Sequence, residues 1–278
     1  MKPRRCIEIV VKPGKQSYSE MVDDFWQSRE LLYILTWRQI ILRYKQTVLG
    51  VAWVLIQPLV AMTLLAVIFG HFAKLPTDGI PYPLFYLSGM IFWSLFAEGA
   101  NRAANSFVGN ENFITKVYFS RLVIPLSAVF SAFVDFFIAA LLLAAIGYYY
   151  GFSIKLTFLF LPLAAAIAFC TAFGVGLLVA TLNVRYRDFK YILPFVFQLW
   201  FFASPVIYST SMIPRGDAKF YFHLNPVASI IELARYAISG TGPISVPGVM
   251  LSIAASIFFI FIGLLAFRST EKSFSDYI

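Results

Sequence analysis

Charge is what this 278-residue sequence has least of. Asp, Glu, Lys and Arg together make up 13% of it, against 60% hydrophobic residues. So few polar groups cannot coat a soluble surface, which sets aside soluble enzymes and free nucleic-acid binders alike. Cysteine and histidine are scarce as well. Cys6 precedes the first long apolar run and Cys170 lies inside another, so neither is placed for a disulfide, a metal site or redox work. His71 and His223 have no second ligand type at metal spacing. A phosphate-binding loop is missing too: the nearest stretch, Pro13 to Ser17, has Ile9 where the first glycine belongs and Gln16 where Ser or Thr should follow the lysine. No Asp-x-Asp pair is present to hold a sugar-nucleotide metal ion, and Asp23 and Asp24 read as a helix start. No cofactor is expected on this chain, and no nucleic acid as a partner.

The N-terminus MKPRRCIEIVVKPG is basic but offers no usable apolar core, since CIEIVV is short and contains Glu8. No cleaved signal peptide is expected.

Long apolar runs are what is present. About 20 apolar residues at a rise of about 1.5 Å cross a hydrocarbon core. Six segments meet or approach that length: Val48 to Phe72, Leu84 to Ala104, Leu122 to Tyr150, Leu156 to Leu182, Tyr191 to Ile207, and Pro247 to Phe267. The fifth is short and marked by proline. With the N-terminus inside, most Lys and Arg fall on the inner side and only Lys74, Lys155, Arg215, Lys219 and Arg235 outside, as the positive-inside rule requires. Both termini are then cytoplasmic. The expected fold is all-α, with residues 1–47 as a cytoplasmic N-terminus and interfacial helix and residues 48–278 as a transmembrane domain.

Ahead of the first run, Tyr33, Ile34, Trp37, Ile40, Ile41 and Tyr44 share one arc at helical spacing, with Arg29, Thr36, Gln39 and Arg43 opposite. Such a helix is expected to lie in the membrane interface with its cations towards anionic lipid, or else to pack on a partner. After the fifth run, NPVASIIELARYAI is apolar yet far short of a span, which suggests a re-entrant helical hairpin.

Three ionisable groups fall within apolar runs, where charge is costly. Glu98 and Arg102 stand four apart and read as a local ion pair. Asp135 has no partner on its own helix and either faces a hydrated cavity or hydrogen-bonds within the bundle. On the fifth run, Tyr191, Phe195, Gln198, Phe202 and Pro205 recur on one face. Rings and an amide suit a sugar passage, and an aromatic stripe also suits ordinary helix packing.

The stretches LLYILTWRQIILRYKQTVLGVAWVLIQPL, GMIFW with NENFITKVYFSRLVIP, NVRYRDFKYILPFVFQLWFFASPVIYS and HLNPVASII, in this order, resemble the membrane subunit of ABC-2 type exporters of cell-surface polysaccharide. Ser120 departs from the proline that the family often carries there, which puts the local turn geometry in doubt. The resemblance implies a homodimer in the inner membrane, working with cytoplasmic ABC ATPase subunits that bind ATP and Mg, and exporting a lipid-linked polysaccharide. It implies a substrate channel lined by Tyr191, Phe195, Gln198 and Phe202 with Trp53 and Gln57, and a cytoplasmic turn at Arg185, Arg187 and Asp188. It implies an outer gate region at Ser204, Pro205, Tyr208, Asn225 and Pro226, with Pro194 and Pro205 kinking the channel helix. An ATPase-coupling segment is implied at Asn110 to Ile124, with Asn110 or Asn112 as caps, Phe113, Val117 and Tyr118 as apolar anchors, and Glu111, Lys116 and Arg121 among its charges. A small lipid or drug as cargo, and a membrane-embedded sugar or acyl transferase, stand as alternatives.

Overall fold

The computed structural model describes residues 24–45, 50–108, 119–152, 155–186, 188–213, 222–240 and 244–270. Among them every regular element is helical: α1 (Arg29–Tyr44), α2 (Ala52–Leu65, continued by π-helical turns over Ala66–Phe72), α3 (Tyr82–Ala104), α4 (Val123–Tyr149), α5 (Phe160–Arg185, entered through a 3-10 turn at Leu156–Leu159), α6 (Phe189–Ala203), α7 (Pro226–Ser239) and α8 (Val246–Thr270). Four of these are long and apolar enough to cross a membrane: Ala52–Phe72, Val123–Tyr149, Leu156–Arg185 and Val246–Thr270. The chain is a multi-pass membrane protein.

Helix α3 is 23 residues long but carries Ser88, Gly89, Glu98, Asn101 and Arg102. It tolerates them because it is the centre of the bundle, with most of its surface against other helices instead of lipid, and a helix surrounded by protein need not be apolar all round. Small residues let its neighbours approach. A Cβ on Gly176 of α5 would lie 2.6 Å from Ala103 Cβ, and one on Gly174 would lie 2.6 Å from the Ile260 backbone nitrogen of α8. In lipid, where no hydrophobic force drives helices together, such close backbone contact is what holds them. The facing sides of α4 and α8 differ in kind. Phe137, Leu141, Ile257, Phe258 and Phe261 are large, apolar and exposed, as a lipid-facing surface demands.

Helix α1 docks along the first half of α4. The Ser120 N–H donates to Ser28 Oγ at 3.5 Å, Gln39 Nε2 donates to Ser127 Oγ at 2.9 Å, and the Tyr44 hydroxyl donates to Asp135. Leu35 is buried on this side, while Tyr33, Ile34, Trp37 and Ile41 point away from the protein. Leu35, Gln39 and, from the arc, Tyr44 thus meet the bundle, while Tyr33, Ile34, Trp37 and Ile41 are left uncovered. One expectation is corrected here: Arg43 does not turn to lipid alone but approaches the Asp135 carboxylate at 3.2 Å.

Helix α6 stops at Ala203, four residues before the expected end of the fifth run. Pro205 is the cause. A proline disfavours helical geometry at the residue before it, and Ser204 is extended at φ −105° and ψ 148°. Pro194 does sit inside the helix, whereas Pro205 ends it and kinks nothing.

Candidate functional site

From Phe197 to Ser209 the chain runs antiparallel to α3, first as helix and then as extended backbone. Phe197 and Trp200 meet the Phe96 ring at 5.6 and 4.9 Å, and Phe201 meets Trp93 at 5.5 Å. Val206 passes Gly89, where a Cβ would fall 3.3 Å from the Val206 backbone. Further along, the Tyr82 hydroxyl donates to the Ile207 carbonyl at 3.0 Å and Ser209 Oγ hydrogen-bonds Asp78. A short helix therefore completes its course beside α3 with non-helical chain.

Extended backbone among helices leaves carbonyls to be satisfied, and side chains do this here. Arg235 of α7 donates through Nη2 to the Val206 carbonyl at 2.9 Å and to the Phe85 carbonyl at 3.4 Å, while its guanidinium carbon lies 3.4 Å from the Phe85 ring centroid. The residue is only 8% exposed. Sequence reasoning counted Arg235 among the loop charges outside; it is buried in the bundle. The signal was an arginine inside an apolar helix too short to span, a placement that needs a partner.

Asn225 is the second support. Its Nδ2 donates to Ser204 Oγ at 2.9 Å and to the Ala203 carbonyl at 3.2 Å, and its Oδ1 accepts from Trp200 Nε1 at 2.9 Å. The same Oδ1 caps α7 by accepting from the Val227 N–H at 3.1 Å. Pro226 follows at the first helical position, where its missing N–H costs nothing, and its carbonyl accepts from Ser252 Oγ at 2.9 Å. At the other end Gly240 turns the chain at φ +68°, and Lys155 Nζ donates to the Ser239 carbonyl at 2.8 Å, a cation at the negative end of the helix. The structure thus gathers Ser204, Pro205, Asn225 and Pro226 into one buried or half-buried junction, and the Tyr208 hydroxyl donates back to the Phe202 carbonyl at 3.2 Å.

A second polar cluster joins α1, α3 and α4. Asp135 accepts from Arg102 Nη2 at 2.5 Å and from the Tyr44 hydroxyl, with Arg43 Nη1 at 3.2 Å. Arg102 also donates to Ser131 Oγ at 3.1 Å, and its Nε lies 3.7 Å from Glu98. Asp135 hydrogen-bonds within the bundle, and the Glu98–Arg102 pair is the weaker half of a network that the local spacing could not reveal. Burial and the neighbouring carboxylate raise the Tyr44 phenol well above its ordinary range, so it stays a donor at any physiological pH.

The remaining sequence-selected residues lie apart from both clusters. Tyr191, Phe195 and Phe202 are 77%, 61% and 59% exposed, with Gln198 exposed among them, while the opposite side of α6 packs Leu193 and Phe197 inward. Trp53 and Gln57 are exposed on α2. Arg185 ends α5 and Asp188 precedes α6, with the Arg185 guanidinium 5.3 Å from the Tyr186 ring centroid. Arg187, and the segment from Asn110 through Glu111, Asn112, Phe113, Lys116 and Val117 to Tyr118, lie outside the described residues; Arg121 lies just before α4. A cavity of about 630 Å³ between α3, α4 and α5 is walled by Phe130, Phe133, Phe136, Phe137 and Phe169, with Tyr148 adding a hydroxyl to an otherwise largely apolar lining that offers a sugar few hydrogen bonds.

Similarity to known proteins agrees with this arrangement. The ABC-2 type transporter family matches residues 30–239. The O-antigen export system permease protein RfbA of Klebsiella pneumoniae is 30% identical over 203 residues, 73% of this chain and 77% of its own length. The protein of the same name from Myxococcus xanthus is 28% identical over 213 residues, 76% of this chain and 81% of its own length. The polysialic acid transport protein KpsM of Escherichia coli is 26% identical over 243 residues, 85% of this chain and 92% of its own length. A chain built of membrane-spanning helices around a broken, side-chain-supported segment, and matched over most of its length in this way, belongs to the ABC-2 type transporter family.

Proposed function

We propose that this chain is the membrane-spanning permease subunit of an ABC transporter that exports a lipid-linked, O-antigen-like polysaccharide across the inner membrane. ATP hydrolysis on a separate subunit drives it, and two copies of the chain enclose the conduit. Six spans carry it: the four long apolar helices, the protein-enclosed α3, and α6 extended by Ser204 to Ser209. Both termini are cytoplasmic, the aromatic arc of α1 sits in the interface, and α7 is a re-entrant helix at the outer gate. The names of the relatives supply the substrate class.

The observation that carries this reading is the uncovered face of α6. Tyr191, Phe195, Gln198 and Phe202 place rings and an amide on the exposed outside of a helix that turns Leu193 and Phe197 inward and leaves Ile192, Val196 and Leu199 exposed as well. Rings stack on the apolar faces of pyranoses and an amide meets their hydroxyls, so the face suits a sugar chain sliding past. The Asn110 to Ile124 segment would dock on the ATPase, and differential contact of that subunit with closed and open states would couple hydrolysis to opening.

The test is export of surface glycan by the co-expressed complex carrying Phe195→Ala or Phe202→Ala. An exposed wall has little packing to lose, so export should fall while dimer yield and thermal stability stay near the parent. Unaltered export with full expression would place this face against lipid. Joint loss of stability and export would make it a packing surface.

A further inference from the structure

Helix α3 has one uncovered strip. Apart from Pro83 in its first turn, the residues that escape burial are Met90, Ser94, Ala97, Glu98, Asn101 and Arg102, which recur at steps of three and four and so share one face. Every other side of the helix is taken. A Cβ on Gly99 would lie 3.2 Å from Ala172 of α5 and 3.4 Å from Val129 of α4, Trp93 and Phe96 touch α6, and Phe85 lies under Arg235 of α7. Helix α2 leans on α3 only through its second half, where Ala61, Met62, Leu65, Ala66 and Phe69 pack against the core and Gly70 meets Tyr82. Below that, towards Ala104, the described residues leave the strip half-exposed, with Glu98 its most open position.

Its chemistry separates it from the lipid-facing surface of the same molecule. Where α4 and α8 are exposed they show Phe137, Leu141, Ile257 and Phe261. Where α3 is open it shows Ser94, Glu98 and Asn101, and the Glu98 side chain is 55% exposed. A charged group facing hydrocarbon is expensive, so an uncovered strip of this composition on a spanning helix must face water. Arg102 fixes one edge, since Ser131 and Asp135 hold its guanidinium.

We propose that Ser94, Glu98 and Asn101 on α3, the helix against which α6 packs through Phe197, Trp200 and Phe201, form a hydroxyl-binding wall of the conduit in its inner half. The carboxylate accepts from sugar hydroxyls, and the amide and the serine hydroxyl both donate and accept, so a polyhydroxylated chain finds replacements for water along the strip. Rings on one wall and exchangeable hydrogen bonds on another hold a glycan weakly at many points, which permits sliding. This inference rests on the permease reading above and adds a wall that the sequence pattern did not single out.

The test uses the assembled permease–ATPase complex in inverted membrane vesicles, with Cys6→Ser and Cys170→Ser as background. Single changes Ser94→Cys, Ala97→Cys and Asn101→Cys are exposed to a polar, membrane-impermeant thiol reagent, with Leu141→Cys and Ile257→Cys as lipid-facing references and Phe195→Cys as the α6 reference. Thiolate chemistry needs water, so the α3 positions should react at least tenfold faster than Leu141→Cys. Asn101→Trp, which narrows the strip, should cut export at least tenfold with normal assembly, whereas Leu141→Trp should leave it unchanged. If Phe195→Cys reacts while all three α3 positions match Leu141→Cys, a second copy or another helix covers the strip; the α3 wall is then overturned and the permease reading stands. If neither α3 nor α6 reacts in an exporting complex, both fall.

Discussion

Replacing Asn225 separates the tasks that one side chain performs at the junction of α6 and α7. In Asn225→Ala the α7 cap is lost, which costs about 1 kcal/mol. The Trp200 N–H and the Ala203 carbonyl also lose their partner, at roughly 1 to 3 kcal/mol for each group left unsatisfied. Because all these bonds converge on one residue they do not add, and we expect a total of about 2 to 5 kcal/mol. Asn225→Asp is the informative comparison. Aspartate keeps an oxygen for the Val227 N–H and the Trp200 indole, and its charge suits a helix N-terminus, but it cannot donate to Ser204 or Ala203. It should lose about half as much as alanine. Thermal unfolding of the purified complex reads the difference: at roughly 2 to 4 °C per kcal/mol for a chain of this size, Asn225→Ala should melt about 5 to 15 °C lower, with Asn225→Asp between it and the parent. Should Asn225→Asp melt as low as Asn225→Ala, the cap and the indole bond carry no weight and the donor bonds alone secure the segment. A melting point for Asn225→Ala within a degree of the parent would refute the reasoning altogether.

Three further outcomes follow from the same geometry. Arg235→Met strips the Val206 and Phe85 carbonyls of their donor, so Ser204 to Ser209 should loosen and the vesicles should leak small polar solutes; intact vesicles with normal export would show that the arginine is dispensable to closure. In the ionic cluster, Asp135→Asn leaves Arg102 and Arg43 beside an uncharged amide and should destabilise by about 3 kcal/mol, against about 1 kcal/mol for Tyr44→Phe. The double variant should fall short of the sum, and strict additivity in the unfolding data would mean that the two are not one network. Gly174→Ala forces a methyl to within 2.6 Å of the α8 backbone, so α5 and α8 must part at a cost of about 1 to 3 kcal/mol, readable as a lower melting point of the complex.

How much was legible before folding depends on the range of the interaction concerned. Membrane character, the helical class and the four long apolar helices follow from composition and run length, because a bilayer imposes its thickness on any segment that crosses it. The break in the fifth run was not legible there: Pro205 in the sequence suggests a kink in a span reaching Ile207, whereas it ends α6 at Ala203 by holding Ser204 extended. The stretch NPVASIIELARYAI was legible as a short apolar element between two spans, but the cap that Asn225 makes and its bonds to Trp200, Ala203 and Ser204 were not.

The tertiary structure decided what lies beyond that range. Arg235 reaches the Val206 and Phe85 carbonyls across 29 and 150 positions of sequence, and Arg102 finds Asp135 across 33. The pair readable in the sequence, Glu98 with Arg102, proved the longer contact at 3.7 Å, because helical spacing reports neighbours on one helix and is silent about those across a packed interface. The half-exposed strip of α3 was hidden for a related reason: Glu98 and Arg102 read as a local ion pair and Ser94 and Asn101 carried no signal until the packing of α4, α5, α6 and α7 showed which face those helices leave free. Sequence by itself determined that the long apolar helices enter a membrane. Only the packing determined which polar groups meet one another and which are left open, since that depends on distances the chain sets only when its helices have come together.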